Sequence, residues 1–172
     1  MTYGYFMKLA EINLTDKQIN YLKLEEKDVK KYIGGSGIGA KLLYEYTNHQ
    51  TDPLSPENVL IFMTGPFTGT KMFSSDRFEV ITKSPLTGIY AESDCGGEWG
   101  EALKRCGLDG IVIKGKSKKP VHIVIKDEEI VIKDASNLWG KDTFEVDELL
   151  KKEFGPYSTS ANIFFYIFFF KF

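Results

Sequence analysis

Cysteine is scarce in this chain: two residues, Cys95 and Cys106, among 172. That number excludes a disulfide framework. Histidine is as rare. His49 falls in a polar loop and His122 within a strand pattern, so the pair makes no metal site on its own. Charge of one sign is not in excess either. A net charge of −2 gives no general attraction to nucleic acid or to an anionic membrane. No apolar run reaches the roughly 20 residues that span a bilayer. The opening residues 1–8 lack the basic start, long apolar stretch and small-residue cleavage site of a signal peptide. A cytoplasmic protein is the simplest reading. What is present is a composition 42% hydrophobic and 27% charged, which suits a buried core in one domain of ordinary size.

Patterning along the chain points to many short strands and few helices. Residues 6–14 and 18–24 alternate around Thr15-Asp16-Lys17 and read as a hairpin. Residues 25–32 are charged and helix-prone. A glycine loop follows at 34–39, then a helix over 40–46. Strands are predicted at 59–63, 77–82, 110–114, 121–125 and 129–132, with a shorter one at 89–91. Asp127-Glu128 is the tight turn between the last two long strands. A helix is predicted over 97–106, with Gly107 at its C-cap. Asp142-Thr143-Phe144-Glu145 is a capping box that opens a helix to Phe154, closed by Gly155. Strands outnumber helices and hairpins dominate, so the expected class is α+β and β-rich.

The segment NIFFYIFFFKF at 162–172 breaks the composition, with six Phe among its eleven residues. High β-propensity, little charge and no proline mark it as aggregation-prone. One reading is a buried or interfacial strand. The preferred one is an aberrant tail from about Tyr157, because Phe, Ile, Asn, Lys and Tyr are what AT-rich codons give out of frame.

Residues 35–40, GSGIGA, fit the letter of the dinucleotide fingerprint. That motif needs a strand before its first glycine and an acidic residue closing a second strand about 20 residues on. Neither is present, and a close backbone approach is the better reading. The stretch 94–107, DCGGEWGEALKRCG, raises three options. Its cysteines would lie roughly 16 Å apart along a helix, too far for a disulfide, and they lack metal spacing. Cys106 reads as a small core residue. Cys95, just before the expected helix, is a candidate reactive thiol. The third option is an anion cradle. Gly96 and Gly97 would admit a ligand to the backbone N–H groups of a helix's first turn, and Arg77 would supply a bidentate charge. Against it stands a plain pairing of Arg77 with Asp94 or Glu98, with Asp94 as a mere N-cap. The residues by themselves leave these two even.

Longer motifs carry a family resemblance. YIGGSGIGAKLLYE, TDPLSPENVLIFMTGPFTGT, RFEVITKSPLTG, CGGEWGEALKRCGLDGIVIKGKSKKPVHIVI and DASNLWGKDTFE, in this order and spacing, resemble the N-terminal domain of the aldehyde ferredoxin oxidoreductase family from about Tyr3 to Gly155. The resemblance implies a platform of two packed β-sheets with a few short helices, truncated at the C-terminus. It would carry a tungsten bis-pyranopterin, with Mg2+ bridging the pterin phosphates. It also implies the family's oxidation of an aldehyde to a carboxylic acid. The [4Fe–4S] cluster belongs to the full-length family, and electrons leave through it to ferredoxin.

Residue by residue, Arg77 matches an arginine on the pterin phosphate. Asp94 matches an asparagine of an N-S-G-G motif at the magnesium and phosphate site, so it is the candidate metal-side residue. Cys95 replaces the serine of that motif, and Gly96 and Gly97 match its glycines. Ser36 stands where relatives often carry arginine. The expected organisation is an incomplete cofactor-binding domain over 1–156 and the aberrant tail over 157–172. This chain alone would then not oxidise aldehydes. The alternative is a non-catalytic module binding a pterin or another phosphorylated ligand. A homodimer is left open.

Overall fold

The structure, a computed structural model, describes residues 3–161 and 169–171. These form ten strands and four helices. The fold is α+β and β-rich, with two sheets. It divides into two compact units, Met1–Lys116 and Ser117–Phe172, with one sheet in each.

The first unit holds β1 (Lys8–Asn13), β2 (Gln18–Lys23), β3 (Val59–Thr64), β4 (Phe78–Lys83), β5 (Tyr90–Cys95) and β6 (Gly110–Lys114) in the order β2-β1-β6-β3-β4-β5. Only β1 and β6 run parallel; the other neighbours are antiparallel. The expected hairpin at the start is β1–β2. β3 is a continuous apolar run because both of its faces are covered. On one face, Val29 of α1 (Glu26–Tyr32) and Ile38, Leu42 and Leu43 of α2 (Gly35–Tyr46) pack on Ile61, Met63, Ile81 and Val112. On the other, Phe62 and Phe78 meet Trp99 of α3 (Trp99–Arg105) with ring centroids 5.2 and 4.3 Å away.

Three boundaries differ from the sequence expectations. The glycine loop at 34–39 is the first turn and a half of α2. Its glycines permit contact rather than flexibility: a Cβ on Gly37 would lie 2.1 Å from the Tyr32 carbonyl oxygen. The short strand expected at 89–91 runs on to Cys95 as β5. Consequently α3 begins two residues later than predicted. Gly97 (φ 95°) makes the turn, and Glu98 is the N-cap with no side-chain cap bond. At its other end α3 closes as expected on Gly107. The Gly107 N–H donates to Lys104 and the Leu108 N–H to Leu103, the paired pattern of a left-handed C-terminus.

The second unit holds β7 (Val121–Lys126), β8 (Glu129–Asp134), α4 (Thr143–Phe154), β9 (Ser160–Ala161) and β10 (Phe169–Lys171), with sheet order β8-β7-β10-β9. Both halves of the Asp142–Glu145 capping box form. Val146 and Leu150 of α4 bury against Ala135 and Leu138. In the Phe-rich tail, residues 162–168 and 172 lie outside the described residues. Phe169–Lys171 forms a strand, parallel to β7 in register Phe169↔His122. No helix among the described residues is long and apolar enough to cross a membrane.

A candidate phosphate-binding cleft at Arg77

A cleft of about 480 Å³ opens between the head of α2 and the β3–β4 connection. Its walls include Ile33 to Gly37 on one side, Gly65 to Thr68 on another, and Arg77, Phe78 and Glu79 at the start of β4. Thr68 fixes the position of Arg77. Its hydroxyl donates to the Arg77 carbonyl at 3.0 Å and accepts from the Gly65 N–H at 3.1 Å. The guanidinium is free to reach outward, since the Arg77 side chain is 64% exposed.

Arg77 donates to the Asp94 carboxylate on β5. Of the two even readings of this stretch, the ion pair is therefore formed, but Asp94 does not cap α3. Asp94 also faces Glu79 directly across the β4–β5 ladder. Burial raises the Glu79 pKa above the usual carboxylate range, and the neighbouring Asp94 and Glu92 charges raise it further; Arg77 opposes them. Tyr90 donates to Glu92 along the edge strand β5.

Of the five residues the sequence singles out, Arg77 lines the cleft and Asp94 is joined to it. Cys95, Gly96 and Gly97 are not lining residues; Cys95 ends β5 and the two glycines begin the exposed connection to α3. The two glycines precede α3 rather than open it, because β5 consumes the residues before them. They do leave room. A Cβ at Gly96 or Gly97 would meet nothing within 4 Å. Cys95 is an exposed cysteine and Cys106 a buried one, as its core assignment expects. The two do not pair, although Cys95 lies on a strand rather than on the helix. Glu79 was not anticipated. The signal was available: strand alternation from Arg77 puts position 79 on the same face.

The donor set suits a phosphorylated ligand. Among the described residues no group of three or more His, Cys, Asp or Glu is placed to hold a metal ion alone. A cation here would need oxygens from its ligand as well. The Arg77–Asp94 pair competes with an incoming phosphate, but weakly. With side chains 64% and 44% exposed it is a surface ion pair, contributing at most about 1 kcal/mol. A bidentate arginine–phosphate contact is among the stronger charge-assisted hydrogen bonds and can replace it.

The family model described as "Aldehyde ferredoxin oxidoreductase, N-terminal domain" matches residues 9–164. A tungsten-containing aldehyde ferredoxin oxidoreductase of Pyrococcus abyssi is 45% identical over 153 residues, 89% of this chain and 25% of that protein. The aliphatic sulfonate oxidoreductase WOR-like subunit of Pyrococcus furiosus is 35% identical over 154 residues, 88% of this chain and 24% of that subunit. Among solved structures, the active-site complex BamBC of benzoyl coenzyme A reductase with 1,5-dienoyl-CoA matches with a TM-score of 0.93. That match has 37% identity and covers 95% of this chain and 25% of that one. The chain thus spans about a quarter of the length of the relatives it matches. On the family model and these identities, the chain belongs to the aldehyde ferredoxin oxidoreductase family, of which it carries the N-terminal domain.

Proposed function

We propose that this chain is the platform on which a tungsten pyranopterin cofactor is seated through its phosphate groups. The carrying observation is Arg77, held by Thr68 at the edge of a cleft of about 480 Å³ with its guanidinium exposed. Arg77 donates to a phosphate. Asp94 would hold the Mg2+ that accompanies the phosphates, so that the carboxylate would support the ligand instead of competing with it. Cys95, Gly96 and Gly97 leave open backbone beside it. The bound group supplies the redox chemistry, and this chain's own contribution is positional. In the whole protein the reaction is oxidation of an aldehyde to a carboxylic acid. A [4Fe–4S] cluster and ferredoxin accept the electrons.

The tungsten-containing relatives support this reading, as does the fit of the donor set. The test is elemental and pterin analysis of the chain purified from cells supplied with tungstate. Pterin and tungsten retained by the wild type and lost from Arg77→Ala support it. A folded sample holding neither contradicts it.

A further inference from the structure

The cleft has a strained edge. Ile33, between α1 and α2, has φ 65° and ψ −74°. The Gly34 N–H donates to the Tyr32 carbonyl at 2.9 Å, which closes a three-residue γ-turn of the rare, strained hand. A β-branched residue at positive φ is an outlier that needs an external hold. Burial is not the hold, because Ile33 is 62% exposed. The turn matters because it delivers the chain into Gly34 and Gly35, both of which line the cleft. Gly34 lies so close to the β3–β4 connection that a Cβ there would be 2.9 Å from the Thr64 oxygen.

The hold comes from the other end of the unit. The Tyr5 hydroxyl donates to the Ile33 carbonyl at 2.7 Å. Tyr5 is itself pinned on both sides. The Gly4 carbonyl accepts from the buried Lys104 ammonium at 2.8 Å. The Asp109 carboxylate accepts from the backbone N–H of Phe6 at 3.2 Å and of Lys8 at 3.3 Å. Lys104 and Asp109 pair at 2.6 Å with side chains 7% and 2% exposed. Burial, and then the Asp109 charge, raise the Tyr5 pKa, so the phenol stays protonated and remains a donor. Tyr5 lies ahead of the residues that the family model matches.

We infer that residues 4–8 form a strap that sets the α2 edge of the cleft, with Tyr5 as the positioning residue that holds Ile33 in its strained turn. The strap rests on the cleft reading above for its ligand, a phosphorylated one, but not for its mechanics.

A double-mutant cycle tests it with Tyr5→Phe, Ile33→Gly and their combination in the full chain. Glycine accepts positive φ without penalty, so Ile33→Gly should make the Tyr5 hydroxyl dispensable. Inorganic pyrophosphate with Mg2+ is the calorimetric probe, and thermal unfolding is followed in parallel. Tyr5→Phe is expected to weaken pyrophosphate binding about fivefold in the native background, the loss of roughly one hydrogen bond. In the Ile33→Gly background it should weaken binding by less than about twofold, with the same coupling in the unfolding midpoints. Equal losses in both backgrounds, or no loss in either, overturn the strap. If the wild type binds no pyrophosphate, the cleft reading fails and the unfolding cycle alone decides the strap.

Discussion

Arg77 precedes β4 and Asp94 lies on β5, and their side chains join at the end of the ladder that also sets Glu79 opposite Asp94. One cation therefore serves two carboxylates beside the cleft. Replacing Asp94 frees the guanidinium. Asp94→Asn should tighten pyrophosphate binding in the absence of divalent cations, by about threefold to fivefold for a surface pair. The same change should abolish any enhancement by Mg2+. Calorimetric titrations with and without Mg2+ check both. An Mg2+ enhancement that survives Asp94→Asn would contradict the role given to this carboxylate.

Glu79 makes the unit pH-sensitive in a direction opposite to most carboxylates. Burial comes first among its causes, then Asp94 and Glu92, and the pKa is raised from 4.5. The native state therefore keeps its proton to higher pH than the unfolded chain. Where only the native state is protonated, stability falls as pH rises. The window opens at the ordinary carboxylate value and closes at the raised one. Glu79→Gln removes the effect. Its unfolding midpoint should exceed that of the wild type at neutral pH, and the two should converge in acid. A difference that persists unchanged in acid would show a packing effect instead. Glu11 acts in the ordinary direction. Burial would raise it, but hydrogen bonds from Tyr46 and Lys114 outweigh burial and lower its pKa. Its contribution is present above the usual carboxylate range and is lost as pH falls through the lowered value.

The buried Lys104–Asp109 pair should be costly to halve. Lys104→Met or Asp109→Asn each leaves a buried charge without its counter-charge, a loss of about 3–5 kcal/mol. Asp109→Asn also weakens the acceptor of the Phe6 and Lys8 amides. Combining the two changes should cost less than their sum, because they share one interaction. Denaturant unfolding measures each; strict additivity would mean that the pair is not coupled.

Two glycines should rank differently for physical reasons. Gly37→Ala puts a methyl 2.1 Å from a backbone oxygen, which no rotamer change relieves. A loss of about 2 kcal/mol or more is expected. Gly97→Ala meets open space and suffers only from its φ of 95°, a loss of about 1 kcal/mol. Unfolding free energies in the reverse order would contradict the packing described at the head of α2.

The legible parts of the fold were those written in local chemistry. The Asp142–Glu145 box, the Asp127-Glu128 turn and the Gly107 C-cap each occupy a few consecutive residues, and each forms as read. The helical head of α2 is hard to read because glycine has low helix propensity; the close approaches of Gly37 to the Tyr32 carbonyl and of Gly39 to Ile81 explain its use there. The extent of β5 was misread because its residues YAESDC are mostly exposed and polar, so alternation gave little signal. At the site, the pairing of Arg77 with Asp94 was legible as the plain alternative the residues offered. The Tyr5–Ile33 bond spans 28 residues and leaves no trace in any local pattern.

The central claim is that Arg77 holds a phosphate group in this cleft. The most direct measurement is a phosphorus NMR titration of pyrophosphate and Mg2+ with the full chain, wild type against Arg77→Ala. Saturable binding by the wild type, weakened at least about tenfold in the variant, is the predicted result. Equal binding by both chains, or none by a folded wild type, would contradict it.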